Sequence, residues 1–446
     1  MAPPEIPSAS GKTSVSTAPK AGTGLFAALF GGWLGLSLLK FGNPIILDKL
    51  IQRPHGIWER IFQPWPVAWG YELLVPVALC GIAVWKAQKK EPLLLFLMPL
   101  AWLAWQFAAS LKTVSSELTN ATLWHFSACC LCFYLGAFAL SQCRNLRWFW
   151  TLLFAAFFFV LWIGFDQHNG GLEETRKHFY ATPGWRNYPP ELLKKMESDR
   201  IFSTLVYPNA LAGVILMLGP ALLFVFFQAT QKLPRILGAV AFGLVAYGAA
   251  ACLVWSGSKA GLLIALLLVL ATVLHVSFSR TLKTAIVAVV LIGGLAAFFL
   301  RFNSYFQKGA TSVSARFDYW TAAVETFKEN PVFGTGPGTF SIPYKKIKPP
   351  EAEMARLTHN DYLQQASDSG VPGFLTYFPI FLGSLGLLYR GCAKKFPEID
   401  FWIWLGLLGW AAQGFMEFGL YIPALAWPAF ALLGWLWGRN PMSERA

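Results

Sequence analysis

Long apolar segments recur along the chain, and this pattern restricts the possible folds more than any other feature. A helix needs about 17–25 apolar residues to cross a bilayer, and about twelve segments of the sequence meet that criterion. They lie at 23–41, 66–85, 92–109, 122–140, 147–165, 204–227, 233–254, 260–278, 282–300, 372–390, 400–416 and 419–437. Segments of this length predict a bundle of transmembrane helices.

The composition agrees with a membrane protein. Of the 446 residues, 55% are hydrophobic and 13% are charged, whereas soluble domains carry about 25% charged residues. The 20 Trp and 38 Phe residues suit aromatic belts at two membrane interfaces. These values exclude a cytosolic enzyme, a disordered protein and a disulfide-stapled secreted domain. We expect an all-α polytopic membrane protein of about 12 transmembrane helices, with two large external loops that contain short helices.

The distribution of Lys and Arg predicts the orientation. One set of short loops and tails carries 16 of them, and the opposite set carries 5: Lys49, Arg53, Arg60, Lys112 and Lys259. The positive-inside rule therefore places both termini in the cytoplasm and the long loops outside. Since the long loops are nearly balanced in charge, this bias accounts for most of the net charge of +13. We do not expect nucleic acid as a partner.

The same reading divides the chain into seven parts. They are a disordered cytoplasmic tail (1–22), N-terminal transmembrane helices (23–165), an external loop (166–203), central transmembrane helices (204–300), a large external catalytic loop (301–371), C-terminal transmembrane helices (372–437) and a cytoplasmic tail (438–446).

Two predicted helices lie in the second external loop. Residues 314–329 place Phe317, Trp320, Val324 and Phe327 on one helical face, which suits a helix on the membrane surface or on the other loop. Another helix begins near Thr358, with capping-box spacing to Asp361. This spacing puts His359 in the first helical turn, where the helix dipole disfavours an imidazolium ion and suits a neutral base. The alternative is a solvated surface histidine.

Three basic residues of the external side are candidates for binding an anion. Arg200 closes the first long loop and Arg316 opens the amphipathic helix of the second; arginine forks bind phosphate oxygens bidentately. The alternative for both is snorkelling toward lipid headgroups. Lys259 lies in a short turn, SGSKAG at 256–261, which suits either an anion at a helix start or a positive turn between packed helices. The spacing of a nucleotide-binding phosphate loop is absent.

Several of these pieces together resemble the O-antigen ligase/polymerase superfamily, the Wzy-C type. The matching features are Arg200 followed by YPN at 207–209, the SGSKAG turn, Arg316 with Trp320, NPVFGTGPGTF at 330–340, THNDYL at 358–363 and GVPG at 370–373. The similarity covers roughly residues 200–373 strongly and the rest in span count and loop placement. One departure is Lys259, which stands where the family usually has Arg, so the bidentate fork is lost there.

The resemblance implies a GT-C-like glycosyltransferase of the bacterial inner membrane with its active site facing the periplasm. The donor would be a glycan on a polyprenyl (undecaprenyl) diphosphate carrier. The acceptor would most simply be lipid A-core; a growing polymer or a protein are the alternatives. The resemblance assigns His359, Arg316 and Arg200 to catalysis. We add Lys259, Asn209, Asn360, Tyr362 and Gly336 as substrate-binding candidates. Membrane lipids are further partners, and the oligomeric state is open.

No cofactor and no metal are expected, because arginines can neutralise a diphosphate. A secondary transporter is the alternative from another class. Transporters place their coupling sites near the midplane of repeated halves, whereas the polar candidates here gather outside.

The predicted orientation is testable by labelling in intact spheroplasts. A cysteine placed at Lys346 should react with a membrane-impermeant thiol reagent, and one placed at Lys394 should not, because the Lys and Arg bias puts them on opposite sides. The reverse pattern would invert the topology.

Overall fold

The chain is helical in every part that has regular structure. The computed structural model describes residues 22–85, 93–181, 184–187, 193, 196–307, 311–392 and 398–439, and these contain no β-strand. The prediction of an all-α polytopic membrane protein is confirmed. The predicted N-terminal tail, apart from its last residue, and most of the C-terminal tail lie outside the described residues.

The helices follow one another along the whole described chain. Their bounds are α1 Thr23–Lys40, α2 Ile57–Phe62, α3 Val67–Val84, α4 Leu93–Ser110, α5 Ser116–Phe138, α6 Arg147–Asp166, α7 Leu172–Ala181, α8 Pro208–Thr230, α9 Arg235–Trp255, α10 Lys259–His275, α11 Arg280–Gln307, α12 Thr311–Glu329, α13 Ser341–Ile347, α14 Asp361–Phe378, α15 Ser384–Cys392, α16 Glu398–Gln413 and α17 Pro423–Arg439. A π-helical turn joins α6 to α7 and another joins α14 to α15.

Each of the twelve apolar segments coincides with a helix. Within the described residues, eight helical stretches are long and apolar enough to cross a membrane; they contain α1, α3, α5, α6, α8, α9, α11 and α14–α15. Helices α4 and α10 are apolar but shorter there, and α16 and α17 have 16 and 17 residues. That α4, α10, α16 and α17 also cross the membrane, which would make twelve crossings, stays a prediction.

The centre of the bundle is α17, which is buried from Pro423 to Gly438. It packs most extensively on α5, and the two backbones touch at three glycines. A Cβ atom on Gly136 would lie 2.1 Å from the Ala431 carbonyl oxygen, and one on Gly434 would lie 1.9 Å from that of Phe133. Gly438 has the same relation to Ala137, at 2.2 Å. Membrane helices associate without a hydrophobic driving force, so such close contacts supply much of their packing energy.

Helix α12 packs mainly through a face of small residues beside the apolar stripe that the sequence identifies. Its buried residues are Tyr319, Ala322, Ala323 and Thr326, whereas Phe317 and Val324 are exposed. Small side chains at 322 and 323 let α12 approach its neighbours closely, while Trp320 of the apolar stripe packs partly against the same cluster. The exposed Phe317 and Val324 suit the membrane-surface alternative, and contact of the stripe with the other loop stays a prediction.

The close contact of α5 and α17 yields a test of the fold. We expect Gly434→Leu to lower the thermal unfolding temperature and the monodisperse yield in detergent, because overpacking a close contact costs about 1–3 kcal/mol or more. Gly243→Leu on α9 is the matched control, since a Cβ atom at that position would meet no neighbouring element of the described chain within 4 Å. Equal behaviour of the two variants would contradict the proposed role of the contact.

Candidate functional site

Two of the predicted residues, Arg316 and His359, contact one buried carboxylate, Glu417. This residue lies in the connection between α16 and α17, and its side chain is 5% exposed. Oε1 of Glu417 accepts hydrogen bonds from Arg316 Nη2 at 2.5 Å and from Asn209 Nδ2 at 2.6 Å. Oε2 lies 3.2 Å from His359 Nδ1. One carboxylate thus joins α8, α12 and the segment before α14.

Arg200 reaches the same cluster through Asn209. Its Nη2 donates to Asn209 Oδ1 at 2.6 Å, and its Nε donates to the Ser256 carbonyl oxygen at 2.7 Å. The approach requires Gly257, which has φ +61° and where a Cβ would lie 3.1–3.3 Å from the Arg200 side chain. The SGSKAG turn therefore helps to position the Arg200 side chain.

Local sequence explains how these side chains are presented. Pro208 is the first residue of α8, a position where its fixed φ is favourable, and Asn209 follows in the first turn. The Asn209 carbonyl oxygen accepts from Gln413 Nε2 at 2.8 Å. Ser258 caps α10 by accepting from the Gly261 N–H. Both helices thus begin beside the ion pairs.

The placement of His359 differs from the prediction in one respect. The capping residue of α14 is Asn360, whose Oδ1 accepts from the N–H groups of Tyr362 and Leu363. His359 consequently precedes the helix rather than belonging to its first turn, and it has φ +52°. Left-handed backbone is unusual for a residue with a side chain and often marks a functional position. The helix starts later because Asn360 satisfies the first free N–H groups.

Aromatic rings surround the imidazole of His359. The ring of Phe418 meets it edge to face at 4.7 Å, and the ring of Tyr319 stacks on it at 5.7 Å. The ring of Tyr207 lies 6.2 Å away. These contacts and the bond to Glu417 restrict the orientation of the imidazole.

Glu417 and Arg316 keep each other charged despite their burial. Burial raises the pKa of Glu417, but its bonds to His359 and Arg316 outweigh that effect and hold the pKa below the ordinary value of 4.5. Burial lowers the pKa of Arg316, and the nearby Glu417 more than compensates. Burial also lowers the pKa of Arg200; the guanidinium nevertheless stays protonated near neutral pH, because arginine is not deprotonated in proteins.

Lys259 adds a third cation beside Arg200 and Arg316. Its ammonium lies 3.9 Å from the centre of the Tyr305 ring and 5.1 Å from that of Phe302. Aromatic faces stabilise a cation without neutralising it. The cluster of Arg200, Lys259 and Arg316 therefore carries more positive charge than the single carboxylate of Glu417 balances.

Three other predicted site residues, Gly336, Tyr362 and Asn360, pack or hydrogen-bond within the protein itself. A Cβ on Gly336 would lie 2.3 Å from Thr113 Oγ1, and its N–H donates to the Asp368 carbonyl oxygen. Tyr362 is buried and donates its hydroxyl to the Ala411 carbonyl oxygen at 3.0 Å. Asn360 caps α14 as described. A substrate contact by these residues stays a prediction.

Residues 244–378 match the family model Wzy_C, described as O-antigen ligase. The resemblance to the O-antigen ligase superfamily is confirmed. The matched segment contains Lys259, Arg316 and His359, whereas Arg200, Asn209 and Glu417 lie outside it. The O-antigen ligase match supports a membrane enzyme of the ligase or polymerase type.

One curated relative is similar over a short part of the chain. A Haemophilus influenzae protein that bears the name "Uncharacterized protein" is 36% identical over 88 residues, which is 18% of this chain and 22% of that protein. The chain therefore matches about a fifth of the length of this relative, whose printed name describes no activity.

Glu417 is the residue of the candidate site that sequence reasoning missed. It stands in the two-residue break between the predicted spans 400–416 and 419–437. The available signal was an ionisable side chain within a nearly continuous apolar stretch, since such residues are costly in membranes and usually functional.

Glu417 generates a prediction on stability and pH. At pH 7, Glu417→Gln should destabilise the protein by about 3–5 kcal/mol, because Arg316 is left buried without its counter-ion. The native pKa is depressed, so the carboxylate stabilises the fold above pH 4.5 and loses that effect as the pH falls through the native pKa. Thermal unfolding followed by tryptophan fluorescence should show the two proteins converging in acid. A difference that is independent of pH would contradict the assignment.

Proposed function

We propose that this protein is an O-antigen ligase-like glycosyltransferase. It moves a glycan from a polyprenyl diphosphate carrier to an acceptor, lipid A-core, on the external face of the bacterial inner membrane. The observation that carries the proposal is the shared carboxylate of Glu417. It brings a cationic cluster and a histidine into one site, which is the pair of functions that such a transfer needs.

The cations serve the leaving group. As the bond between the anomeric carbon and the diphosphate oxygen breaks, negative charge grows on the diphosphate. Fixed cations at that position stabilise the transition state more than the ground state. Arg200 donates two of its five N–H groups to atoms of the described residues, so further donors remain for phosphate oxygens. Lys259 contributes charge without the bidentate geometry.

His359 serves the acceptor. When Nδ1–H donates to Glu417 Oε2, the neutral imidazole carries its lone pair on Nε2. In the proposed step, Nε2 takes the proton of the acceptor hydroxyl, the hydroxyl oxygen bonds to the anomeric carbon, and the electron pair of the broken bond leaves with the diphosphate. Glu417 then stabilises the imidazolium, as a carboxylate does in a catalytic triad.

The cationic side chains take the role that a divalent metal ion has in other glycosyltransferases, so the proposed transfer needs no metal.

The acceptor follows from the resemblance rather than from the site geometry. A polymerase and a protein oligosaccharyltransferase share the donor half of this chemistry and differ in the hydroxyl or amide that attacks.

The proposal is testable in proteoliposomes with a carrier-linked glycan, purified lipid A-core and no ion gradient. Wild-type protein should transfer the glycan. His359→Gln should lose about 10²–10⁴-fold in turnover, because glutamine preserves hydrogen bonding but accepts no proton. Binding of the carrier-linked glycan should persist. The matched control is His168→Gln, in the predicted first external loop. The ring of His168 stacks on that of Trp255 at the end of α9.

Four outcomes would contradict parts of the proposal. Turnover of the His359→Gln variant at the wild-type rate would remove the base. Full activity of Arg316→Ala would remove that cation from the mechanism. Movement of the glycan lipid across the bilayer without transfer would replace the enzyme with a transporter, and transfer only to another glycan or to protein would reassign the acceptor.

A further inference from the structure

The connection between α1 and α3 carries a short helix whose apolar face is exposed in the described part of the chain. On α2, Ile57, Trp58, Ile61 and Phe62 are between 52% and 75% exposed, and α2 contributes no buried residue. Their spacing places all four on one side of the helix, with Glu59 and Arg60 on the other. The rings of Trp58 and Phe62 stack at 6.2 Å.

This helix is held rigidly, although six residues are too few for a stable helix in water. Glu59 caps its start by accepting from the His55 and Gly56 N–H groups. At its other end, the Lys40 ammonium donates to the carbonyl oxygens of Ile61 and Gln63. Trp65 Nε1 donates to the Arg60 carbonyl oxygen at 2.9 Å. Several tethers therefore fix an apolar face outward.

The tethers also fix the level of the helix. Lys40 is the last residue of α1, and Trp65 stands two residues before α3; both helices are membrane-spanning candidates. The carboxyl end of α2 therefore lies at the level where two spans end. The ring of Trp65 meets that of Trp69 at 5.3 Å, and Trp is enriched at this boundary.

The same end of the bundle carries the candidate site. Thr204 Oγ1 donates to the Leu38 carbonyl oxygen at 2.7 Å near the end of α1. A Cβ on Gly42 would lie 2.6 Å from Leu205 Cα. Residues 204–205 immediately precede Tyr207 and Asn209, so α2 and the ion pairs lie toward the same side of the membrane.

We propose that α2 is an interfacial helix that inserts its apolar face into the lipid leaflet on the side of the candidate site. Lipid is the occupant, because the helix is fixed at the ends of two spans, where the bilayer boundary surrounds the protein. The neighbouring Arg53 and Arg60 are exposed and complement anionic headgroups, as on other interfacial helices. The proposal is independent of the chemistry at Glu417.

The test places an environment-sensitive fluorophore at Trp58→Cys or, as the matched control on the opposite face, at Arg60→Cys. Each labelled full-length protein is reconstituted in vesicles of phosphatidylcholine with phosphatidylglycerol, and wild-type protein gives the labelling background. The label at 58 should emit at shorter wavelength and be quenched strongly by lipids that carry a nitroxide near the headgroup. The label at 60 should stay accessible to an aqueous quencher.

Two further variants check the result against poor folding of one variant and against the role of Lys40. Phe62→Cys repeats the measurement at a second position of the apolar face, in case the first variant folds poorly. Lys40→Met removes the ammonium that binds the end of α2, and it should reduce lipid quenching at 58. Equal aqueous exposure at 58, 60 and 62 would overturn the proposal. Shielding of 58 from both lipid and aqueous quenchers would overturn it in favour of a protein partner or a second copy.

Discussion

The candidate site depends on the pairing of one buried carboxylate. A buried ionised group is costly unless it is paired and hydrogen-bonded, so Glu417 is compatible with the fold only where donors reach both of its oxygens. Arg316, Asn209 and His359 meet that requirement from three segments far apart in the chain. The same requirement that stabilises the carboxylate therefore assembles the cationic and imidazole groups around it.

A second carboxylate positions the loop that carries Glu417. The Asp361 N–H donates to the Gly414 carbonyl oxygen at 2.7 Å, and Asp361 Oδ2 accepts from the Leu420 N–H at 3.0 Å. The start of α14 is thereby bound to the connection on both sides of Glu417, and His359 lies two residues before Asp361. Further along α14, Asp368 Oδ2 accepts from the Gly338 N–H at 2.8 Å. The glycine-rich turn at 334–338 is thus attached to the same helix.

The glycines of that turn have a packing role. Gly334 and Gly338 have positive φ, and added Cβ atoms would lie 2.2 Å from Asp368 and Thr122 atoms respectively. The glycine-rich turn therefore lets the loop backbone lie directly against α5 and α14. Rigid attachment of this kind is what a transfer site needs, because small displacements of catalytic groups reduce rates strongly. The α5–α17 contact provides the corresponding close packing within the bundle.

The sequence by itself determined the fold class, the helical segments and most of the charged residues of the site. Apolar length and the Lys and Arg bias are local properties, and backbone hydrogen bonding in lipid leaves a long apolar segment few alternatives to a helix. The motifs around Arg200, Arg316 and His359 were equally readable. Tertiary structure alone decided what these residues contact: Glu417 became recognisable when three distant segments met it, and His359 was moved out of the helix by the Asn360 cap. Likewise, only packing showed that α12 buries its small residues, since periodicity identifies an apolar face without naming its partner.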